Sequence, residues 1–365
     1  MRNAIRQVAG SGCGSHLGLA YDVWAPVDAS GKVPDAQRQG WLESLSRVTL
    51  PTGYAEAYKR WVDALKEENG RADEMETQTR LLIGHGNASP TDVGFTVHQT
   101  WGVPVIPGSA LKGLLAHYVE AVYGPDPANP NDDDRASYVG VTWNNGRIVH
   151  GPGAVYGALF GAPAADQDDG CGLGERAGCV VFHDAWLVPD GVKTLPVAPD
   201  VLTVHQKEYY DSNGQSLPND YGSPVPVAFL TVRPQTKFLV ALSGDPAWTE
   251  FAMTMLRDAL AEWGVGGKTA AGYGRMRFVS SSVRPDRLAD MDPRVKPFLD
   301  WTKSDAVRDL TARPRERAVR QQWLAQLKAL PPEARADAEK VIKSFLKNNK
   351  AGQKQLCQAL HATSP

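Results

Sequence analysis

The chain has 365 residues, 42% hydrophobic and 22% charged, which is the balance of a globular protein of about two domains and excludes wholesale disorder. No run reaches the ~20 apolar residues of a membrane span, Met1–Leu19 lacks the apolar centre of a signal peptide, and Cys13, Cys171, Cys179 and Cys357 are too scattered for a disulfide framework, so a reduced, cytoplasmic protein without membrane contact is expected. Charge is segregated: residues 284–365 hold 17 of the 39 Lys+Arg and 10 of the 41 Asp+Glu, a net of +7 that leaves −9 on 1–283.

Residues 1–35 read as loops. The spacing of Tyr54, Tyr58, Trp61, Val62 and Leu65 predicts an amphipathic helix over roughly 54–68 that ends near Gly70. Thr77–Gly84 reads as a strand, His85–Asp92 as a loop and Gly94–Thr100 as a second short strand. Val105–Gly108 leads into a helix with the stripe Leu111, Leu114, Leu115, Tyr118, Val119 and Val122, capped by Ser109 and stopped at Gly124-Pro125. Residues 126–178 form a long insertion whose acidic runs, Asp132–Asp134 and Asp166, Asp168 and Asp169, read as solvated loop. Cys179–Val188 reads as a strand and 189–224 as a second excursion. Val225–Val232 and Thr236–Leu242 are expected to pair as a hairpin. Trp248, Phe251, Met255, Ala259 and Trp263 mark a helix between Pro246 and Gly264, and Arg275–Ser280 a final strand.

This order predicts an α+β, RRM- or ferredoxin-like antiparallel sheet with helices on one face and long insertions. Beyond 284 only helical spacing occurs, at Val319, Trp323, Leu327 and Leu330 and again at Val341, Ile342 and Phe345, which predicts a separate basic helical appendage. The expected organisation is an N-terminal region 1–75, a central domain 76–283 and an extension 284–365.

Two segments carry chemistry. In Val105–Gly113 (VIPGSALKG), Lys112 lies in a first helical turn, where the helix dipole disfavours a cation, and Gly113 costs about 1 kcal/mol against Ala. A phosphate backbone close to the helix start would account for both, with Ser109, Lys112 and the amides facing the anion and Gly113 leaving room. The plainer alternative is an ordinary strand-to-helix turn. In Gly264–Arg275 (GVGGKTAAGYGR), glycines including Gly266 and Gly267 let amides wrap a phosphate. Lys268 and Arg275 supply charge, Thr269 a hydroxyl and Tyr273 a stacking face. The triplet Gly267-Lys268-Thr269 is no P-loop: the required earlier glycine falls on Glu262, and a helix, not a strand, precedes it.

Together IPGSALKG and GVGGKTAAGYGR resemble the RAMP superfamily of CRISPR-associated RNA-binding proteins, over roughly residues 76–283. DVLTVHQKEYY (200–210), PVPVAFLTV (224–232) and YGALFG (156–161) are similar to one branch, found in type III-B (Cmr) effector complexes. Two positions depart from the pattern: Ala116 stands where many relatives have arginine, and Met276 where they have an aromatic residue. The resemblance implies an RRM-like fold and a non-catalytic, cofactor-free role within a ribonucleoprotein used in antiviral defence. The chain would hold the 3′ portion of the guide RNA (crRNA), beside target RNA, cap the filament of related backbone subunits and touch small helical subunits. It would also place His205 in a loop at the RNA.

Further constellations weigh less. Cys171, Cys179 and His183 fit no standard zinc spacing, and Cys13 with His16 lacks a partner pair, so no metal is expected. Trp41, Trp61, Trp248 and Trp263 read as core. His16, His85 and His205 would be the candidates if the chain were instead an endoribonuclease that processes precursor guide RNA. The residues also leave room for a sister RAMP subunit of another type III complex, or for a protein-only scaffold.

Overall fold

The computed structural model of the chain describes residues 16–68, 70–91, 93–125, 133–145, 147–163, 175–204, 206–218, 225–283, 292, 294–304, 307, 310–346 and 349–361. They fall into two compact units, Met1–Arg284 and Pro285–Pro365. In the first, helices α1 (Asp35–Leu45) and α2 (Tyr54–Glu67) precede strand β1 (Arg71–Thr77). A two-residue strand, β2 (Val105–Ile106), leads into helix α3 (Gly108–Tyr123). A small hairpin, β3 (Thr142–Asn144) with β4 (Arg147–His150), is followed by helix α4 (Ala154–Phe160). Strands β5 (Val180–Phe182), β6 (Ala185–Leu187), β7 (Val197–Val204), β8 (Val225–Val232) and β9 (Lys237–Gly244) come next, then helix α5 (Pro246–Glu262) and strand β10 (Met276–Val283).

The main sheet has the order β10-β1-β9-β6-β2, with β5 also on β9, and every pairing is antiparallel. Taking β5 and β6 as one interrupted strand, the chain runs β-α-β-β-α-β, the ferredoxin-like arrangement. Strand β9 lies at its centre because Phe238–Ser243 is an almost unbroken apolar run, buried on both faces. Phe238, Val240 and Leu242 face the core shared with α3 and α5, whereas Leu239 and Ala241 join Leu65 of α2, with Tyr58, Trp61 and Val62 packed alongside. The pair α3 and α5 thus covers one face, and α2, from the N-terminal region, closes the other.

Strand β1 carries the charges that fix this arrangement. Asp73 has a fully buried side chain and accepts from Arg257 of α5, with Nε at 2.8 Å and Nη2 at 2.7 Å from its Oδ2. Arg71, also buried, lies 3.9 Å from the same oxygen and pairs with Glu250 of α5. Arg257 further stacks 3.9 Å over the ring of Phe278 on β10 and donates to Ser281. One helix is thereby tied to two neighbouring strands.

Four expectations are corrected. The strand read at Thr77–Gly84 lies at Arg71–Thr77. The apolar run Leu81–Ile83 drew the assignment, but Leu81 and Ile83 enter the main core from irregular backbone while Leu82 enters a small cluster with Val93 and Phe229. Gly94–Thr100 forms no strand beyond a single bridge, Val97 to Pro104. The predicted hairpin is absent: β8 pairs along its full length with β7 in a separate two-stranded sheet, and β9 joins the main sheet. The backbone of Val232 is already taken by Leu81, and the turn that follows wraps Thr77, whose hydroxyl donates to Arg233 and accepts from Thr236. Cys179–Val188 is broken at His183-Asp184, because the Asp184 side chain turns to another partner.

In the second unit, helices α6 (Lys296–Lys303), α7 (Ala312–Gln322), α8 (Leu324–Lys328), α9 (Pro332–Phe345) and α10 (Lys350–His361) enclose a core of their own around Phe298, Val319, Leu327, Val341, Ile342 and Leu356.

Removing the Asp73 carboxylate leaves Arg257 without its counter-charge and takes one of two nearby carboxylates from Arg71. Asp73→Ala is expected to cost about 3–5 kcal/mol, read from urea unfolding of the whole chain. An unchanged unfolding midpoint would show the network to be dispensable.

Candidate nucleic-acid interface

At the start of α3 the cap is Pro107, not Ser109, and no side chain of the preceding residues caps the helix. The first amide, from Gly108, donates instead to Asp184 Oδ1 at 2.7 Å. The break between β5 and β6 therefore delivers a carboxylate to the positive end of the helix. Ser109 is an exposed residue of the first turn. With the helix starting at Gly108, Lys112 is its fifth residue and lies past the first turn expected for it, so the dipole cost argued from the sequence largely falls away.

The two glycines of the segment differ in kind. A Cβ on Gly108 would lie 2.2 Å from the Phe182 carbonyl oxygen, so glycine there is demanded by the fold. Around Gly113 nothing lies within 4 Å of the same position, so packing does not require its lack of a side chain. Lys112 is exposed beside it. Ser109 and Lys112 border a cleft of about 620 Å³, with Phe160, Arg176, Val181 and Phe182 on its other walls. Ala116 is half-buried further along α3.

The glycine-rich segment closes on the chain that follows β1. Gly267 donates to the Leu82 carbonyl, Gly274 to Arg80, and Arg275 to Thr79 Oγ1. Gly266 (φ +90°) and Gly274 (φ +77°) approach so closely that a Cβ would stand 2.3 Å from the Leu82 oxygen and 2.0 Å from the Val265 oxygen. Most of the glycine in this loop is thus explained by its own packing. Lys268 adopts φ +58° ahead of a turn at Thr269–Ala271 and is exposed, with Thr269 half-buried. Tyr273 is half-buried: its ring sits 6.3 Å from that of Phe229, tilted by 47°, and its hydroxyl donates to Asp200 Oδ2 at 2.9 Å. Burial first, and then this carboxylate, push the phenol up to about 12. Asp200 is held in turn by Arg80, 3.4 Å away.

Two polar atoms beside the loop are buried without a hydrogen-bond partner, Nη1 of Arg275 and Nδ1 of His85. The Cβ of His85 lies 3.0 Å from where a Gly267 side chain would begin. Orphaned buried polar atoms are rare in folded proteins, and the Gly267 that meets His85 directly precedes exposed Lys268. In the sequence His85 stands only as a catalytic candidate; its position against Gly267 is what brings it to the loop.

The two segments do not converge on one pocket. The start of α3 packs on Phe182, opposite Leu242 near the end of β9. The glycine-rich loop enters β10 beside the Glu76–Lys237 pair at the other end. Those ends are five residues apart, roughly 17 Å at about 3.4 Å per residue. They suit an extended ligand lying along the sheet rather than a small one held between them.

His205 lies outside the described residues, as do Cys13, Cys171 and the acidic positions 132, 166, 168 and 169. Cys179 is a free, exposed thiol, and His183 Nε2 is 2.7 Å from Ser243 Oγ. Among the described residues no group of three or more His, Cys, Asp or Glu could hold a metal, and no helix is long and apolar enough to cross a membrane. Of the four tryptophans expected in the core, Trp41, Trp61 and Trp248 are half-buried against it, but Trp263 is 36% exposed, edge-on to Tyr118.

A ferredoxin-like sheet with a lysine-bearing helix start after its first strand and a glycine-rich loop before its last defines an RRM-like protein. The chain belongs to the RAMP superfamily, whose family model matches residues 74–277. It is 30% identical over 257 residues to the CRISPR system Cmr subunit Cmr6 of Pyrococcus furiosus, an alignment that spans 63% of this chain and 76% of that protein. The crystal structure of Cmr6 from Pyrococcus furiosus aligns with 27% identity over 57% of this chain and 98% of the other, at a TM-score of 0.33. A chain of the cryo-EM structure of the type III-B Cmr-beta bound to cognate target RNA aligns with 19% identity over 69% and 74%, at a TM-score of 0.48.

Gly274→Ala is expected to destabilise the chain by about 2–4 kcal/mol, since strained φ and a backbone clash coincide. Gly113→Ala should stabilise it by about 0.5–1 kcal/mol, both variants being read from urea unfolding of the whole chain. For Tyr273, the folded-state midpoint is raised, so its contribution is intact below about pH 10, the usual tyrosine value, and is lost as pH rises through about 12. Asp200→Asn should lower that midpoint, read as phenolate absorbance, though not fully to the ordinary value, because burial remains the larger cause.

Proposed function

We propose that this chain is the Cmr6-type subunit of a type III-B (Cmr) CRISPR ribonucleoprotein effector, acting in the cytoplasm in antiviral defence. In it the chain binds the 3′ portion of the guide RNA, caps the filament of related backbone subunits, meets the small helical subunits and leaves target cleavage to its neighbours. The observation that carries the reading is the 30% identity over three-quarters of Cmr6. An RNA contact is supported by exposed Lys112 beside the unfilled space at Gly113, and by exposed Lys268 beside the unpartnered nitrogens of Arg275 and His85. Phosphate contacts of Ser109, Thr269 and the Gly266-Gly267 amides would follow the same two surfaces.

A non-catalytic role is supported by His16. Its Nδ1 accepts from the Leu19 amide at 3.1 Å, which puts the proton on Nε2, and Nε2 donates to the Gln99 carbonyl at 2.8 Å. Neither nitrogen is left to take a proton from a 2′-hydroxyl.

Gentle purification of the tagged chain from its host, with sequencing of the bound RNA, tests the assignment. Guide RNAs sharing a repeat-derived 5′ end, together with related proteins, are expected; uncut precursor or no RNA would refute it. For the contacts, Lys112→Ala with Lys268→Ala should lower RNA affinity and reduce the slope of log K against log salt by about 1.4, near 0.7 per phosphate lost on a single strand. Gly113→Leu should weaken RNA binding while leaving the fold intact, because only the ligand meets the added side chain.

A further inference from the structure

The helical unit at Pro285–Pro365 lies beyond the family match, which ends at residue 277, and neither RNA surface of the first unit includes it. Its charge is unevenly spent. Asp292, Glu316, Asp337 and Glu339 are each held by a cation of the same unit: Arg294, Arg320, Lys340 and Lys343, at 2.6–3.5 Å. Around the seam where α7 meets the start of α10 the balance is different. Glu316 of α7 reaches across to Asn349, 3.1 Å from its Oε2, and this fixes the two helices side by side. Arg317 and Arg320 project from α7 within one turn of that contact, and Lys350 and Lys354 from the first turns of α10; all four are exposed. Among the described residues the ion pair at these four cations is that of Arg320 with Glu316, 3.5 Å long and shared with Asn349, whereas Arg317, Lys350 and Lys354 take part in none. Exposed Gln321 and Gln322 continue the same stretch of α7 with neutral amides.

We propose that this seam is a second nucleic-acid site that grips the phosphate backbone of a single strand without reading its sequence. Clustered Arg and Lys next to side-chain amides are the groups that contact phosphate and sugar. An acidic protein is the competing partner, but a protein-binding face is built on apolar or aromatic anchors. Among the described residues, none of the large exposed hydrophobic side chains belongs to this unit; all twelve lie in the first. The inference stands apart from the effector assignment, because it concerns affinity for any single strand.

The test uses the full-length chain and a short fluorescein-labelled RNA of mixed sequence, with DNA of the same sequence in parallel. Changing Arg317, Arg320, Lys350 and Lys354 to Gln should weaken binding at least several-fold at low salt. It should also reduce the salt slope by about two to three, at near 0.7 per phosphate. Lys340→Gln with Lys343→Gln removes two cations already paired to carboxylates and should leave both quantities unchanged. Equal loss on RNA and DNA identifies plain backbone recognition, and a larger loss on RNA adds a 2′-hydroxyl contact; either supports the site. An unchanged slope in the fourfold variant, or an equal loss in the Lys340/Lys343 control, overturns it. So does retained RNA binding with loss of a co-purifying protein, which assigns the seam to an acidic partner. Matching thermal melts of both variants separate these outcomes from misfolding. Guide-RNA recovery from the host is read independently, so failure of either idea does not carry the other with it.

Discussion

The buried carboxylate of Asp73 is the constraint on which the first unit turns. A strand in the middle of a sheet is expected to be apolar, yet β1 places Arg71 and Asp73 under α5, where Arg257 and Glu250 complete the set. Such a network adds little net stability over apolar packing of the same volume, but it penalises every register in which one member is missing. A two-residue slip of β1 would bring Met75 or Arg71 to the oxygen-binding position and leave Arg257 alone. The network therefore fixes register more than it supplies energy. Because the chain leaving β1 is the surface on which the glycine-rich loop closes, the position of that loop inherits the choice.

The same network explains why part of the fold is hard to read from sequence. Helices α3 and α5 announce themselves by apolar periodicity and strand β9 by its unbroken apolar run. Strand β1, RADEMET, looks like a solvated stretch because its inward residues are charged and their partners lie some 180 positions away. The next apolar run, Leu81–Ile83, attracts the strand instead. Strands β7 and β8 escape notice as a pair for a related reason: the turn after β8 is short enough for a hairpin, but its backbone groups are claimed by Leu81 and Thr77 from elsewhere in the chain. Long-range claims on local backbone leave no trace in spacing.

At the candidate site the two motifs are legible as motifs, while the reasons for their residues are not. Glycine is the clearest case. Gly108, Gly266 and Gly274 are each excluded from bearing a side chain by a carbonyl oxygen of this chain within 2.3 Å of the missing Cβ. Their presence says that the loop and the helix start are packed hard against the sheet, and nothing about a ligand. Sequence alone lends all of these glycines the same weight as Gly113.

Gly113 is the exception that bears on function. In a helix interior glycine lowers stability, and here neither φ nor a neighbour requires it. Under the proposed RNA contact, a phosphate backbone passing Gly113 would account for it, and the adjacent exposed Lys112 carries the matching sign. Tyr273 looks like a stacking platform in the sequence, and the structure adds that its ring lies against Phe229 and its hydroxyl donates to Asp200. Its contacts hold the loop that carries exposed Lys268. The proposed RNA contact therefore rests on a scaffold held by internal contacts, with exposed Lys112 and Lys268 at opposite ends of one sheet.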